Sequence, residues 1–559
     1  MPDFLKQHGL LILILLISLP IKIATAQNMP WDIDIVPVVS RNVEYTVPPV
    51  GTLSSVAAYN LPMLEWLHLP AQWLTGDVWW TIFLTMLTFN LLSTTAVYTL
   101  GHSMFNQRVA IIAAVLFTFS EVGVSSSYTS WAQLLLPGFF AMVMMSLWLW
   151  YKQENGFWLA AAGVLSTAAF MTHFSALLLY PAMLAFAIVT RAKWQFKWLA
   201  IGTIAVLLML TPYLMVQIDR DFIDLKAFAS QELLVSDDIL ARYEIYKPGY
   251  TVAPVVETSE PVESVATQDT PIAPQVRPRW LRAIDYALES PFWYWRAMTT
   301  AFPPGTRGFA ALAPSLTPFI RAFLSLQTVL FVIAILSATV SYIRNFREEK
   351  SLTGTDSGRL LLIVGFLTVM IALMILTRTI ANVSYWMGFI SLELLIAAYA
   401  LSLLPDTKQM TTLIAIVLIA YIGIQNTERA FRLIDHDDSQ FSGYNVSIFR
   451  HVEAAVDYIA EDWDAGEEIT VSYDILQDVP NLWWTPAWHS IDPSYKMGMN
   501  FDFLLSYHHG LQNTNTDPIG TVDTADYIIV YTPSLENYDL SNYTSAQFGT
   551  IIVLEPIDF

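Results

Sequence analysis

The densest group of chemically capable residues in this 559-residue chain lies near its start, in Trp31-Asp32-Ile33-Asp34-Ile35-Val36-Pro37-Val38-Val39-Ser40-Arg41. It follows directly on an apolar run, so two carboxylates stand beside the end of a helix that has the length to cross a membrane. A carboxylate at such a boundary can accept a proton as general base or hold a cation, and Arg41 can meet a phosphate. Spacing alone equally allows ordinary solvated loop charges.

Charges in or beside apolar spans are costly, so each calls for a reason. Glu121 is expected in the outer half of the third span, His173 in a tight outer turn, Arg321 near the start of the eighth span, Arg378 just past the ninth and Glu393 well within the tenth. Glu121 and Glu393 read as structural carboxylates with buried partners. Asp435-His436-Asp437-Asp438 has metal-capable residue types but no recognised ligand spacing, and reads as a solvated loop, so no metal ligand is assigned. The chain has no Walker motif and no GxGxxG opening a helix after a strand, which leaves nucleotide-driven function without support. It has no cysteine, which excludes thiolate chemistry, Cys-ligated metals and disulfides.

The elements that must position these residues are mostly membrane helices. Hydrophobic residues make up 55% of the chain and charged residues only 14%, too apolar a balance for a soluble protein of this size. The net charge of -20 gathers in loops and the tail, which argues against a nucleic-acid partner. About eleven spans meet or approach the roughly 20 residues needed to cross. They are Gly9 to Ala24, Trp79 to Leu100, Val109 to Val124, Trp131 to Tyr151, Phe157 to Thr172, Phe174 to Thr190, Trp198 to Val216, Phe319 to Tyr342, Leu360 to Leu376, Val383 to Leu404 and Thr411 to Ile424. With the N-terminus in the cytoplasm, Arg108, Lys152, Arg191, Lys193, Lys197, Arg344, Arg347, Lys350, Arg359 and Lys408 all fall inside, while the tight turns on the other side have no Lys or Arg. Lys6, the apolar run and Ala24-Thr25-Ala26 share the layout of a cleavable secretory signal, but Lys22 near the outer end disfavours that reading, and a retained helix is expected.

The fold class expected is therefore a polytopic α-helical membrane protein with a C-terminal soluble α/β domain. The membrane part covers residues 1–424, with a first outer loop at 27–78 and a second at 217–318, and an extracytoplasmic domain covers 425–559. Residues 248–278, rich in Pro, Val, Glu and Thr, read as a disordered linker. From Arg279 to Arg296, Trp280, Ile284, Leu288 and Trp295 recur at near-helical spacing among Arg279, Arg282 and Arg296, as in a helix lying on a membrane surface or on the protein's own outer face. In the tail, Val452, Val456, Ile459 and Trp463 mark one helix face with Gly466 as its stop. Strand-like runs follow at Glu468 to Tyr473, Asp526 to Tyr531 and Thr550 to Leu554. The aromatic segment Trp483-Trp484-Thr485-Pro486-Ala487-Trp488-His489 suits either a small core or stacking on sugar rings.

This organisation resembles the C-type glycosyltransferases, the membrane enzymes related to protein O-mannosyltransferases and to the aminoarabinose transferases of lipid A. Asp32 with Arg41 is similar to that family's acidic start followed by an Ala-Arg pair. Tyr45-Thr46-Val47-Pro48-Pro49-Val50-Gly51 stands in the place of its His-Pro-Pro-Leu or Lys-Pro-Pro-Leu segment, Thr172-His173-Phe174-Ser175-Ala176-Leu177-Leu178 is similar to its Thr-His-Tyr turn, and Thr211-Pro212-Tyr213 to its Leu-Pro-Trp. The likeness covers roughly the first two-fifths of the chain in short motifs. Two departures stand out. Ser125-Ser126-Ser127-Tyr128-Thr129-Ser130-Trp131-Ala132-Gln133 lies where many relatives have a Ser-Arg pair and then an Asp, and the residue before the Pro-Pro pair is Val47.

The resemblance implies a sugar transferase whose donor is a polyprenyl-phosphate sugar, with a glycan, lipid or protein acceptor at the outer face of the cell membrane. It makes Asp32 or Asp34 the general base, Arg41 a phosphate contact and His173 a supporting residue near the cavity. Arg279, Arg282 and Arg378 are further candidates for binding the substrate. It implies no nucleotide or redox cofactor, and the sequence specifies no divalent metal. Two other classes compete: a transporter or flippase, which calls for inverted repeats and midplane charges, and a non-catalytic envelope scaffold, which predicts that Asp32→Asn and Asp34→Asn leave function intact.

Overall fold

A computed structural model describes residues 2–27, 29–31, 38–39, 42, 46–52, 59–230, 335–341, 343, 353–377, 387–419, 447–474, 501–515, 525–531, 538–549 and 551–557. The chain is mostly helical. Among the described residues five helices have the length and hydropathy to cross a membrane: His8–Ala26, Val78–Met104, Ala132–Gln153, Phe196–Asp219 and Asp356–Met374. Shorter apolar helices run Gln107–Thr118, Gly156–Thr172, Phe174–Thr190, Met387–Ser402 and Lys408–Ile419.

The helices in chain order are α1 (Pro2–Ala26), α2 (Met63–Thr75), α3 (Val78–Met104), α4 (Gln107–Thr118), α5 (Glu121–Ser125), α6 (Ala132–Gln153), α7 (Gly156–Thr172), α8 (Leu179–Thr190), α9 (Phe196–Asp219), α10 (Ile223–Ser230), α11 (Asp356–Thr377), α12 (Ile390–Ser402), α13 (Lys408–Ile419) and α14 (Phe449–Ala460). Helix α6 is the centre of the bundle and packs on α3 and α7, with α4 on α3 and α12, and α9 on α7. Helix α9 leaves Phe196, Ile204, Leu207, Leu208, Met215 and Ile218 exposed, a surface suited to lipid as its solvent. Helix α1 instead sorts its residues. Leu11, Ile14, Ser18, Lys22 and Thr25, at helical spacing, are buried against the bundle, while Leu10, Leu13, Leu16 and Ile17 face outward.

One sequence expectation needs correction. The third span does not run unbroken to Val124: it stops at Thr118, and Ser120 caps a separate short helix by accepting from Gly123 N–H at 2.9 Å and donating to Phe117 O at 2.8 Å. A Cβ at position 123 would come 1.8 Å from Phe117 O, so the turn requires glycine there. Glu393 lies within the apolar helical stretch Met387–Ser402, one turn after its 3-10 start. Helix α2, inside what reads as a first outer loop, was not anticipated at all.

The tail holds a four-stranded sheet in the order β4-β6-β8-β7, built from β4 (Val471–Asp474), β6 (Tyr527–Tyr531), β7 (Tyr543–Phe548) and β8 (Ile551–Pro556), with short strands β3 (Glu468–Ile469) and β5 (Gln512–Asn513) paired beside it. Strands β4 and β6 are parallel; β8 runs antiparallel to β6 and β7. Ile529 and Val553 pair and join the larger core with α14, whereas Ile528 and Leu554 pair on the opposite face in a second core with Val530 and Ile552. The three strand-like runs in the sequence fall on β3–β4, β6 and β8. Val452, Val456 and Ile459 are buried on α14, as their spacing predicts, but that helix already ends at Ala460, and Gly466 (φ 97) belongs to the following turn. Strand β1 (Pro30–Trp31) pairs antiparallel with β2 (Ser447–Ile448), joining the two ends of the chain.

Candidate active site

Asp32, Asp34 and Arg41 lie outside the described residues, but the chain on both sides of them is held. Before them, Ala26 and Met29 are fully buried, Trp79 Nε1 donates to Ala26 O at 3.3 Å, and Phe449 N–H donates to Met29 O at 3.0 Å. Between and after them, Val38 and Val39 are buried, Gln72 Nε2 donates to Val39 O at 3.4 Å, and Asn42 Nδ2 donates to Glu65 O at 3.0 Å. The Pro-Pro segment is held by the same helix: Trp66 Nε1 donates to Pro48 O at 2.8 Å, and Thr52 N–H donates to Glu65 Oε1 at 2.8 Å. Gly51 lies so close to this helix that a Cβ there would come 2.7 Å from Leu61 O. Helix α2 is thus the platform for the described residues that flank the acidic segment, and Glu65 and Gln72, both buried, are structural groups of that platform.

Three polar clusters cross-link the helices and loops on this side of the chain. In the first, the fully buried Lys22 donates through Nζ to Asn90 Oδ1, and Asn90 Nδ2 donates onward to Gly123 O at 2.6 Å and Ser126 Oγ at 2.9 Å. This chain links α1, α3 and the serine-rich turn that replaces the charged pair of the resembling family. In the second, His68 on α2 places Nδ1 2.7 Å from Leu64 O, so Nδ1 carries the proton and Nε2 accepts from Ser130 Oγ at 3.2 Å. Burial pushes His68 down to about 4, so the ring stays neutral at physiological pH.

The third cluster ties the first outer loop to the second. Tyr59 N–H donates to Asp224 Oδ1 at 3.2 Å, Gln217 Nε2 to Asp224 Oδ2 at 2.8 Å and Arg220 Nε to the same oxygen at 3.2 Å. The Arg220 guanidinium lies 5.1 Å above the Tyr59 ring, and Tyr213 donates to Tyr59 O at 3.2 Å. Asp221 and Phe222, between α9 and α10, have φ of 52 and 57. Both are left-handed conformations that cost non-glycine residues about 1–2 kcal/mol each, within the turn that brings Arg220 to the buried carboxylate of Asp224.

Of the candidate catalytic and substrate-binding residues named from the sequence, His173 alone is described. It is half-buried and caps the 3-10 turn Phe174–Leu178: Nδ1 accepts from Ser175 N–H at 3.2 Å and lies 2.8 Å from Ser175 Oγ. Arg279, Arg282, Arg321 and Arg378 lie outside the described residues, as do the linker, the basic helix, the Asp435–Asp438 run and the Trp-rich segment. Sequence reading passed over Lys22 with Asn90, His68 with Ser130, and Arg220 with Asp224. The first pair did leave a signal, a lysine and an asparagine in apolar spans, where each needs a partner. Among the described residues no three His, Asp or Glu side chains gather as a metal site.

Residues 59–216 match the family model described as dolichyl-phosphate-mannose-protein mannosyltransferase. The match opens at Tyr59 of the third cluster and includes α2, the serine-rich turn, His173 and the Thr-Pro-Tyr segment. No curated protein matches the sequence. Among solved structures, the chain is similar to ArnT from Cupriavidus metallidurans bound to undecaprenyl phosphate, at 11% identity and a TM-score of 0.43 over 98% of each chain. It is also similar to the archaeal oligosaccharyltransferase AglB from Archaeoglobus fulgidus, in complex with an inhibitory peptide and a dolichol-phosphate, at 12% identity and a TM-score of 0.45 over 98% of this chain and 74% of that one.

Proposed function

We propose that this chain, which matches the mannosyltransferase family model over residues 59–216, is a membrane glycosyltransferase that moves a sugar from a polyprenyl-phosphate donor to an acceptor. The observation that carries the reading is that match, because it falls on the helices that hold the acidic first loop. In our assignment Asp32 or Asp34 takes the proton of the acceptor's nucleophile. The bond between the sugar's anomeric carbon and the donor phosphate oxygen breaks, its electron pair stays on the phosphate, and a new bond forms from the anomeric carbon to the acceptor. The lipid phosphate leaves well once its charge is held, a role we give to Arg41 with Arg279, Arg282 and Arg378. His173 shapes the turn beside the cavity.

We place the loop and the tail on the outer face, on the strength of the Lys and Arg distribution among the short loops, and we treat residues 425–559 as an α/β domain of that face. Membrane lipid and the donor's own polyprenyl chain share the apolar surface of the bundle. The test is sugar transfer by the purified chain supplied with a panel of polyprenyl-phosphate sugars and a membrane extract as acceptor. Transfer that falls about 100-fold in Asp32→Asn or Asp34→Asn supports the assignment. Transfer unaltered in both variants refutes the site, and a wild type that binds no lipid-linked sugar refutes the enzyme.

A further inference from the structure

Backbone hydrogen bonds tie the start of the tail to the residues just before the acidic loop. Strand β1 ends at Trp31, the residue before Asp32, and its partner Ser447–Ile448 opens the tail. Phe449 N–H donates to Met29 O, so Met29 and Phe449 form one hydrogen-bonded rung. An antiparallel ladder alternates, which leaves Pro30 opposite Ile448 as a non-bonded rung and makes Trp31 and Ser447 the next pair to exchange hydrogen bonds. A proline fits at position 30 for that reason, since the rung needs no N–H from it. The other side of the same short stretch is held by the bundle, where Trp79 Nε1 donates to Ala26 O and Met29 N–H donates to Ala26 O at 3.0 Å. The tail is anchored in turn on the α2–α3 corner, where Tyr507 donates to Gly76 O at 2.9 Å, and by the fully packed Phe449 at the start of α14.

We infer that Ser447 and Phe449 are positioning residues for the transfer reaction: the tail, through the β1–β2 rungs, sets where the chain delivers the carboxylate of Asp32 or Asp34. The inference rests on the base assignment made above. The tail on this view takes part in the site, because Trp31, the residue before Asp32, is paired to it. A reacting group misplaced by about 1 Å loses on the order of 100-fold in rate, so loosening one rung acts on kcat and leaves donor binding, made elsewhere, intact.

The test uses the full-length protein in detergent or nanodiscs. Ser447→Pro removes the N–H of the Trp31 rung, and Ser447→Ala keeps it. Hydrogen–deuterium exchange of the peptide containing Met29 to Trp31 reads the rung without reference to activity. The expected result is faster exchange in Ser447→Pro with kcat lowered about tenfold or more, donor KM and melting temperature close to wild type, and Ser447→Ala indistinguishable from wild type. Faster exchange with unchanged kcat overturns the inference, as does a Ser447→Ala variant as slow as Ser447→Pro. A wild type that transfers no sugar overturns the glycosyltransferase reading itself and this inference with it; it is told apart because the defect then precedes any substitution.

Discussion

His68 and Lys22 show how single buried polar side chains hold the neighbourhood of the acidic loop. His68 is neutral because burial holds it near 4, well below an ordinary histidine, while its ring links α2 to Ser130. An unfolded His68 binds a proton below its ordinary value of 6.5 and the folded one does not until about 4. Its contribution is therefore fully present above the higher value and is lost progressively as pH falls between the two, by roughly 1.4 kcal/mol per unit. Melting curves of the purified protein should show this acid limb, and His68→Ala should lower the melting temperature at neutral pH by several degrees and remove the limb. Lys22 follows a different logic. Its buried amino group has the Asn90 side-chain oxygen as acceptor, and the Asn90 amide passes the link on to Ser126. Neither side chain stands in a motif, so only the cost of a polar group in an apolar helix marks them in the sequence.

At the scale of elements, close helix contacts and the tail's docking carry the architecture. Gly101 on α3 sits where a Cβ would come 2.9 Å from the Ala110 backbone on α4, the small-residue approach by which membrane helices pack. Gly101→Val is expected to reduce the monodisperse fraction in size-exclusion chromatography strongly, because neither backbone has room to move. On the tail, burial first, and then the charges of Asp77 and Asp457, push the Glu453 carboxyl up to about 7. The same contact brings His508 and His509 beside Asp457, which accepts from His509 Nε2 at 2.9 Å. A carboxyl raised in the folded state favours folding while it is protonated, so this contribution falls as pH rises from 4.5 towards about 7. Glu453→Gln should therefore raise the melting temperature at about pH 8 and leave it unchanged at about pH 5, opposite in sign to the His68 limb. Apolar run length made α3 and α6 legible, short apolar runs β6 and β8, and periodicity on one face α14. These signals did not reveal α2, whose polar groups Glu65, His68 and Gln72 are turned inward to bind backbone, nor the break at Ser120, which depends on a capping hydroxyl and a glycine within an apolar run.

For the whole molecule, a helical bundle with lipid-suited outer faces is tied to a small sheet by the β1–β2 pair and by Tyr507 on the α2–α3 corner. The segment that carries Asp32 and Asp34 was legible as chemistry in the sequence because two carboxylates follow an apolar helix. The structure adds what spacing does not contain: the loop's flanks are gripped by α2 from within the matched family segment and by β2 from the far end of the chain. In the proposed reaction, these held flanks steady the segment to which the base is assigned. The most direct test is sugar transfer from a polyprenyl-phosphate donor by the purified full chain, with wild type, Asp32→Asn and Asp34→Asn compared at saturating donor. The account predicts transfer by the wild type and a loss of about 100-fold in at least one variant with donor binding retained; transfer at wild-type rate in both variants would contradict it.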